Sequence, residues 1–168
     1  MRREGNYWVN KLKLERHPEG GYFKEVYRAE NEISHPGSQK NRNLATSIYY
    51  LLEGNDISHF HILKSDELWY FHDGAGAIVH ILSNGNYHQK LLGLDVDKGQ
   101  LPQLLIPANS FFAAEPIDKD SFILMGCMVT PGFDFDDFEL ADPNTLIKAY
   151  PEQRDLIDQF GFKKQVES

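Results

Sequence analysis

The chain has 168 residues, of which 41% are hydrophobic, 25% charged and 12% aromatic, with a formal net charge of −8. That length supports one domain with a sizeable core, taken as residues 1–168, and an acidic balance without a basic stripe argues against a nucleic-acid partner. No run approaches the ~20 apolar residues that span a bilayer, the N-terminal MRREGNYWVNKLKL lacks the apolar core of a signal peptide, and the lone Cys127 cannot close an internal disulfide. The expectation is a cytoplasmic protein with no membrane partner.

Residues 6–14, NYWVNKLKL, space Tyr7, Trp8, Val9 and Leu12 as a short amphipathic helix does. His17-Pro18-Glu19-Gly20-Gly21 then turns sharply, because Pro18 favours an extended His17 and paired glycines open backbone angles closed to other residues. The turn leads into a strand over Tyr22–Arg28. Residues 30–43 are polar, contain Pro36-Gly37 and read as a long exposed loop, with His35 solvated. Leu44–Leu52 is rich in β-branched and aromatic residues, as strands are.

Gly54-Asn55-Asp56 turns into a hairpin, and Ser83-Asn84-Gly85-Asn86 is a second hairpin signal, since Asn-Gly accepts a type I′ turn. His80 and His88 flank the latter with nothing to draw them into a site, and His72 points outward by alternation. Strands are expected over Ala77–Leu82, Tyr87–Gly93, Gln103–Pro107 and Phe111–Glu115, with a polar connection over Leu94–Leu101. Ser121–Val129, a continuous apolar run holding Cys127 as a small buried hydrophobe, suits a central strand covered on both faces. In FDFDDFEL the phenylalanines read as anchors closing one end of the core, with solvated acids between them. Helical stretches follow at Asp142-Pro143 and Pro151–Phe160. Many short strands with frequent turns indicate an all-β sandwich or barrel, with a core over about residues 22–129 and a helical tail over about 143–162.

The chemistry concentrates in GNDISHFHILKSDELWYFHDG, residues 54–74. His59 and His61 are two apart, so strict alternation places them on one strand face. Glu67 returns on the next strand to meet them, and Trp69 shares its face. Two imidazoles and a carboxylate can hold a divalent metal or transfer protons without one. Glu25, Tyr27 and Tyr49, on neighbouring strands, and Glu19, in the glycine turn, are further candidates to line a ligand cavity.

Gly54, His59, His61, Glu67 and Gly74 follow the first cupin motif with one gap off by a residue. Together with HPEGGY, SHFH, SDELW and PGFDF, they resemble the small-cupin family called cupin type five, similar in fold to RmlC-type sugar-nucleotide epimerases. The resemblance covers about Tyr7 to Leu140. It implies a double-stranded β-helix jelly roll with a ligand cavity, and a homodimer paired through the N-terminal segment or Tyr22–Arg28. In the second motif, Asn109 replaces a glycine and Phe112 replaces the remaining ligand histidine. A metal set would therefore be His59, His61 and Glu67 alone.

Three readings stay open. One is an epimerase- or isomerase-type enzyme, without cofactor, in which His59, His61 and Glu67 move protons on a small polar metabolite such as a sugar or nucleotide sugar. Another is a metal-dependent enzyme on the same three residues. The third is a small-molecule binding protein without catalysis.

Overall fold

The computed structural model describes residues 4–162. Two six-stranded sheets pack face to face. The first has the order β1 (Glu15–Arg16), β2 (Tyr22–Arg28), β5 (Thr46–Glu53), β13 (Phe122–Thr130), β7 (Asp66–Gly74), β11 (Gln103–Ile106). The second has the order β10 (Gln100–Leu101), β9 (Asn86–Leu92), β8 (Ala77–Ser83), β12 (Phe111–Pro116), β6 (Ser58–Leu63), β14 (Phe138–Leu140). From β5 to β8 and again from β10 to β14, successive strands alternate between the sheets, which gives the jelly roll its wound character. The paired region extends beyond residues 22–129, to Glu15 on one side and Leu140 on the other.

Alternation on each strand sorts the apolar residues into layers. Tyr50, Leu52, Trp69, Met125 and Cys127 of the first sheet meet Val79, Ile81 and Phe112 of the second in the central core. Both sheets are also covered outside. Leu51, Phe122 and Leu124 lie under Trp8, Val9 and Leu12 of helix α1 (Gly5–Leu12). Phe60, Leu82 and Ala113 lie under α2 (Pro143–Ala149) and α3 (Arg154–Phe160). The continuous apolar run of β13 follows from cover on both faces. Helix α2 starts where Asp142 accepts a hydrogen bond from Thr145 N at 2.9 Å, with Pro143 in the first turn.

The 30–43 segment departs from the exposed loop expected of it. Glu32–Ser34 (β3) and Asn41–Asn43 (β4) pair as a two-stranded ribbon. His35 is 2% exposed, because its ring meets Ser65 Oγ at 2.9 Å and accepts from Gly37 N and Ser38 N. Arg42 is buried as well, and its Nε donates to Asp137 Oδ2 at 2.6 Å. Asp137 is thus a buried anchor for the ribbon, not one of the solvated acids expected in FDFDDFEL.

Candidate functional site

The glycine turn before β2 sets the site. Gly20 has φ +110° and Gly21 φ +71°, and a Cβ on Gly20 would overlap the Ile57 carbonyl oxygen. Only glycine allows this close approach. The turn is pinned by Tyr50 Oη donating to Gly20 O at 2.7 Å and by His59 N donating to Glu19 O at 2.8 Å. The Glu19 side chain is thereby driven into the sandwich, where it is 7% exposed.

Inside, Glu19 Oε2 lies 3.0 Å from His61 Nε2, and Glu19 Oε1 accepts from Ser58 Oγ at 3.0 Å. His61 Nδ1 donates to the His59 carbonyl at 2.7 Å, which aims Nε2 at Glu19. Burial pushes the Glu19 pKa up, but the charge and hydrogen bond of His61, with His17 and Ser58, outweigh it and hold Glu19 at about 2. Burial pushes His61 down, and the Glu19 carboxylate overcomes that and raises it. The two form a buried ion pair.

Glu67 faces the same cavity from the opposite sheet. Burial first, then the Glu19 charge, raise it to about 7. Among the described residues it has no ion-pair partner. Trp69 and Cys127 flank it and favour its charged form, yet Trp69 Nε1 is buried without a full hydrogen bond. Two carboxylates in one cavity thus have affinities for protons driven far apart, the usual mark of separate acid and base roles.

The cavity encloses about 340 Å³. Glu19, His61, Glu67, Tyr50, His17 and Cys127 form its polar inner part, and Phe23, Ile48, Leu63, Val129, Phe133 and Phe135 its apolar walls. Glu25, Arg28 and Asp134 complete the lining. Burial, opposed by Glu19, lowers the His17 pKa, and its ring packs edge-on to Phe23 at 4.6 Å.

Several sequence expectations are redirected by two bulges and one parity choice. Phe112 sits opposite His61 and Ala114 opposite Ser58, so β6 fits one more residue than β12 between those pairs. The bulge ends strict alternation, and His59 does not line the cavity. Its Nδ1 meets Phe160 O at 3.2 Å, and its ring lies edge-on to Phe162. On β2, Glu25 pairs with Ile48 and Tyr27 with Ser47, so Val26 is extra. Glu25 lines the cavity as expected, but Arg28 takes the inward place and Tyr27 is 55% exposed. On β5 the inward tyrosine is Tyr50. Tyr49 lies on the outer face, with its ring edge-on to His72. Trp69 is core, 1% exposed between Tyr50 and Phe112, and not cavity lining.

The metal set fails a geometric test. His59 is turned away, Phe112 packs on His61 with centroids 4.0 Å apart, and no group of three His, Cys, Asp or Glu side chains among the described residues is arranged to hold a metal ion. His61 has both ring nitrogens engaged by protein groups. His17, Arg28, Tyr50 and Asp134 are site residues that reading the hairpin alone misses. The only sequence signal for His17 is its place in HPEGG.

A jelly roll closing on an internal cavity of carboxylates and histidine defines the molecule as a cupin. Residues 6–141 match the Cupin_5 family, described as cupin superfamily (DUF985), and the chain belongs to that family. It is 31% identical over 162 residues to the uncharacterized protein YML079W of Saccharomyces cerevisiae, covering 89% of this chain and 78% of the yeast protein. A solved hypothetical protein from Leishmania major superposes with a TM-score of 0.90 at 30% identity, covering 96% of this chain and all (100%) of that one. Protein SO0799 from Shewanella oneidensis does so at 0.87 and 37%, covering 96% and 99%. Among the described residues no helix is long and apolar enough to cross a membrane.

Proposed function

We propose that the cavity binds a small polar metabolite the size of one sugar ring and moves a proton on it, as an isomerase- or epimerase-type enzyme. The observation that carries this reading is the placement of Glu67, which has no ion-pair partner among the described residues, across the cavity from the Glu19–His61 pair. A general base works best when its pKa is near the working pH, and Glu67 at about 7 meets that condition. Glu67 would take a proton from carbon next to a carbonyl. The His61 imidazolium would offset the charge that develops on the carbonyl oxygen, while Glu19 and the His59 carbonyl hold the ring. Return of the proton from Glu67 to the former carbonyl carbon, while the proton of the adjacent hydroxyl passes to the former carbonyl oxygen, isomerises an α-hydroxy carbonyl substrate. Delivery of a solvent proton to the opposite face of the carbon that lost its proton, with the proton on Glu67 passing to solvent, epimerises it.

The test is solvent exchange. Ring-sized sugars and related carbonyl compounds are incubated with the full chain in D2O, and NMR follows loss of the proton next to the carbonyl. Exchange that needs both Glu67 and His61 supports the reading. A compound that binds in the cavity without exchange would favour a binding protein.

A further inference from the structure

The mouth of the cavity holds a cation that a ligand cannot use. Arg28 is the one lysine or arginine among the described lining residues. Its guanidinium is already engaged on two sides. Nε donates to Glu25 Oε1 at 2.9 Å and Nη2 to Glu25 Oε2 at 2.7 Å, a two-point fork. Nη1 donates to Asn43 Oδ1 at 2.8 Å and to Phe133 O at 3.2 Å. A guanidinium has five N–H donors, and these contacts use all but one. No second fork is left for the two-point contact that a carboxylate or phosphate frequently makes with arginine.

The remaining polar lining has the same sense. The His61 N–H groups are committed to Glu19 and the His59 carbonyl. Burial lowers the His17 pKa and favours its neutral form. The other ionisable groups are the acids Glu19, Glu67 and Asp134, the buried thiol of Cys127, and Tyr50, whose hydroxyl already donates to Gly20 O. An anion entering here would lose its water and meet the Glu19 and Asp134 carboxylates, with only neutral donors such as His17 in return and no free cation among the described lining residues, a costly exchange.

We infer that Glu25 is a specificity-determining residue that masks Arg28, so that the cavity accepts uncharged, ring-sized carbonyl compounds and turns away their carboxylate or phosphate counterparts. This rests on the cavity being the ligand site, not on the proton transfer proposed above. A nucleotide sugar could enter only by its sugar end. The apolar walls of Phe23, Phe133 and Phe135 supply the ring contact, and the carbonyl oxygen finds a donor in neutral His17, whose Nδ1 accepts from Glu19 N so that the proton sits on Nε2.

The probes are benzamide and benzoate, nearly equal in shape and different in charge, titrated into the full chain by ligand-observed NMR and calorimetry. Wild type is expected to bind benzamide, and benzoate about tenfold more weakly or less. Glu25→Gln, which frees the Arg28 fork, is expected to reverse the order. Adding Arg28→Gln to that variant is expected to abolish the gain for benzoate. Equal or tighter binding of benzoate by wild type overturns the inference. So does an unchanged order in Glu25→Gln, or failure of wild type to bind either probe. If Glu25→Gln does not fold, the double variant Glu25→Gln/Arg28→Gln decides, because it removes both charges and leaves no unpaired Glu25 carboxylate. A masked guanidinium predicts an unchanged benzamide-to-benzoate ratio, and a clear further loss of benzoate shows that Arg28 was reachable. A failure of solvent exchange leaves this selectivity intact, and a failure of selectivity leaves the exchange result intact.

Discussion

Glu19 and His61 meet at 3.0 Å inside the sandwich, one delivered by a glycine turn and the other by a bulged strand. Both are buried, so removal of either leaves the other charge without a partner, which typically costs ~3–5 kcal/mol. His61→Ala is expected to abolish turnover and to lower stability by about that amount. The check is denaturant unfolding beside the exchange assay. A variant as stable as wild type would mean that the pair is not charged in the folded protein.

Gly20 is where backbone geometry and chemistry are joined. Gly20→Ala must move either the turn or the Ile57 carbonyl, at a φ that alanine rarely adopts. Destabilisation of roughly 2–4 kcal/mol is expected, with loss of activity because Glu19 shifts. Thermal unfolding and a crystal structure of the variant check it. Alanine at Gly85 makes the control, since a Cβ there meets nothing within 4 Å, although its φ of +77° still carries backbone strain.

What could be read in advance follows from which rules are local. The turn-punctuated strands are local signals that give a sandwich or barrel, while the jelly roll rests on the cupin resemblance; alternation gives the outward His72 and the hairpin the inward Glu67. His59 and Tyr27 were misplaced by the same rule that placed Glu67, because alternation holds only until a bulge inserts a residue. Tyr49 and Tyr50 are adjacent, so nothing local decides which faces in. Arg42–Asp137 and His35–Ser65 join segments distant in sequence, and their burial depends on the fold being complete. HPEGG stands out as a turn, but its reach into the cavity depends on contact with β5 and β6.

His59 and His61 should separate cleanly on mutation. His59 contributes its backbone to the site and its side chain to Phe160 O. His59→Ala keeps the backbone contacts and is expected to cost about 1 kcal/mol, the usual net worth of one hydrogen bond, and to retain most exchange activity. Hydrogen exchange should show the loosening confined to the end of α3. Activity lost as fully as in His61→Ala would place the His59 ring in the chemistry after all.

The outer edge of β2 bears on assembly. Only Tyr22 and Phe23 pair with β1, while Val26 and Tyr27 are 48% and 55% exposed. An open edge with apolar side chains invites pairing with another strand. We expect a homodimer through this edge, with a mass by light scattering about twice the 19.3 kDa of the chain. Val26→Lys should shift it to the monomer, and a monomeric wild type at tens of micromolar would remove the expectation.

Glu67 should dominate stability on the neutral side of the pH range. Its folded pKa of about 7 lies above its ordinary 4.5, so the folded state holds the proton more tightly than the unfolded chain. The resulting stabilisation is fully present below 4.5 and is lost as pH rises through about 7. Glu19 acts in the opposite sense. Its folded pKa of about 2 lies below 4.5, so its contribution is present above 4.5 and is lost as pH falls towards 2. The raised pKa of His61 adds stability below 6.5 that fades at higher pH. Stability should therefore peak near pH 4.5, fall from there to about pH 7 as Glu67 loses its contribution, and fall further towards pH 8 as His61 does. At about 1.4 kcal/mol per pH unit, the Glu67 share of that decline is about 3 kcal/mol. Glu67→Gln is uncharged at every pH and should flatten the decline, unfolding at higher temperature than wild type at pH 8. Its proton exchange should be lost at the same time. Unfolding curves from pH 3 to pH 8 for both proteins check this. A decline of equal slope in Glu67→Gln would assign the pH dependence to other groups and leave Glu67 ionised in the resting cavity.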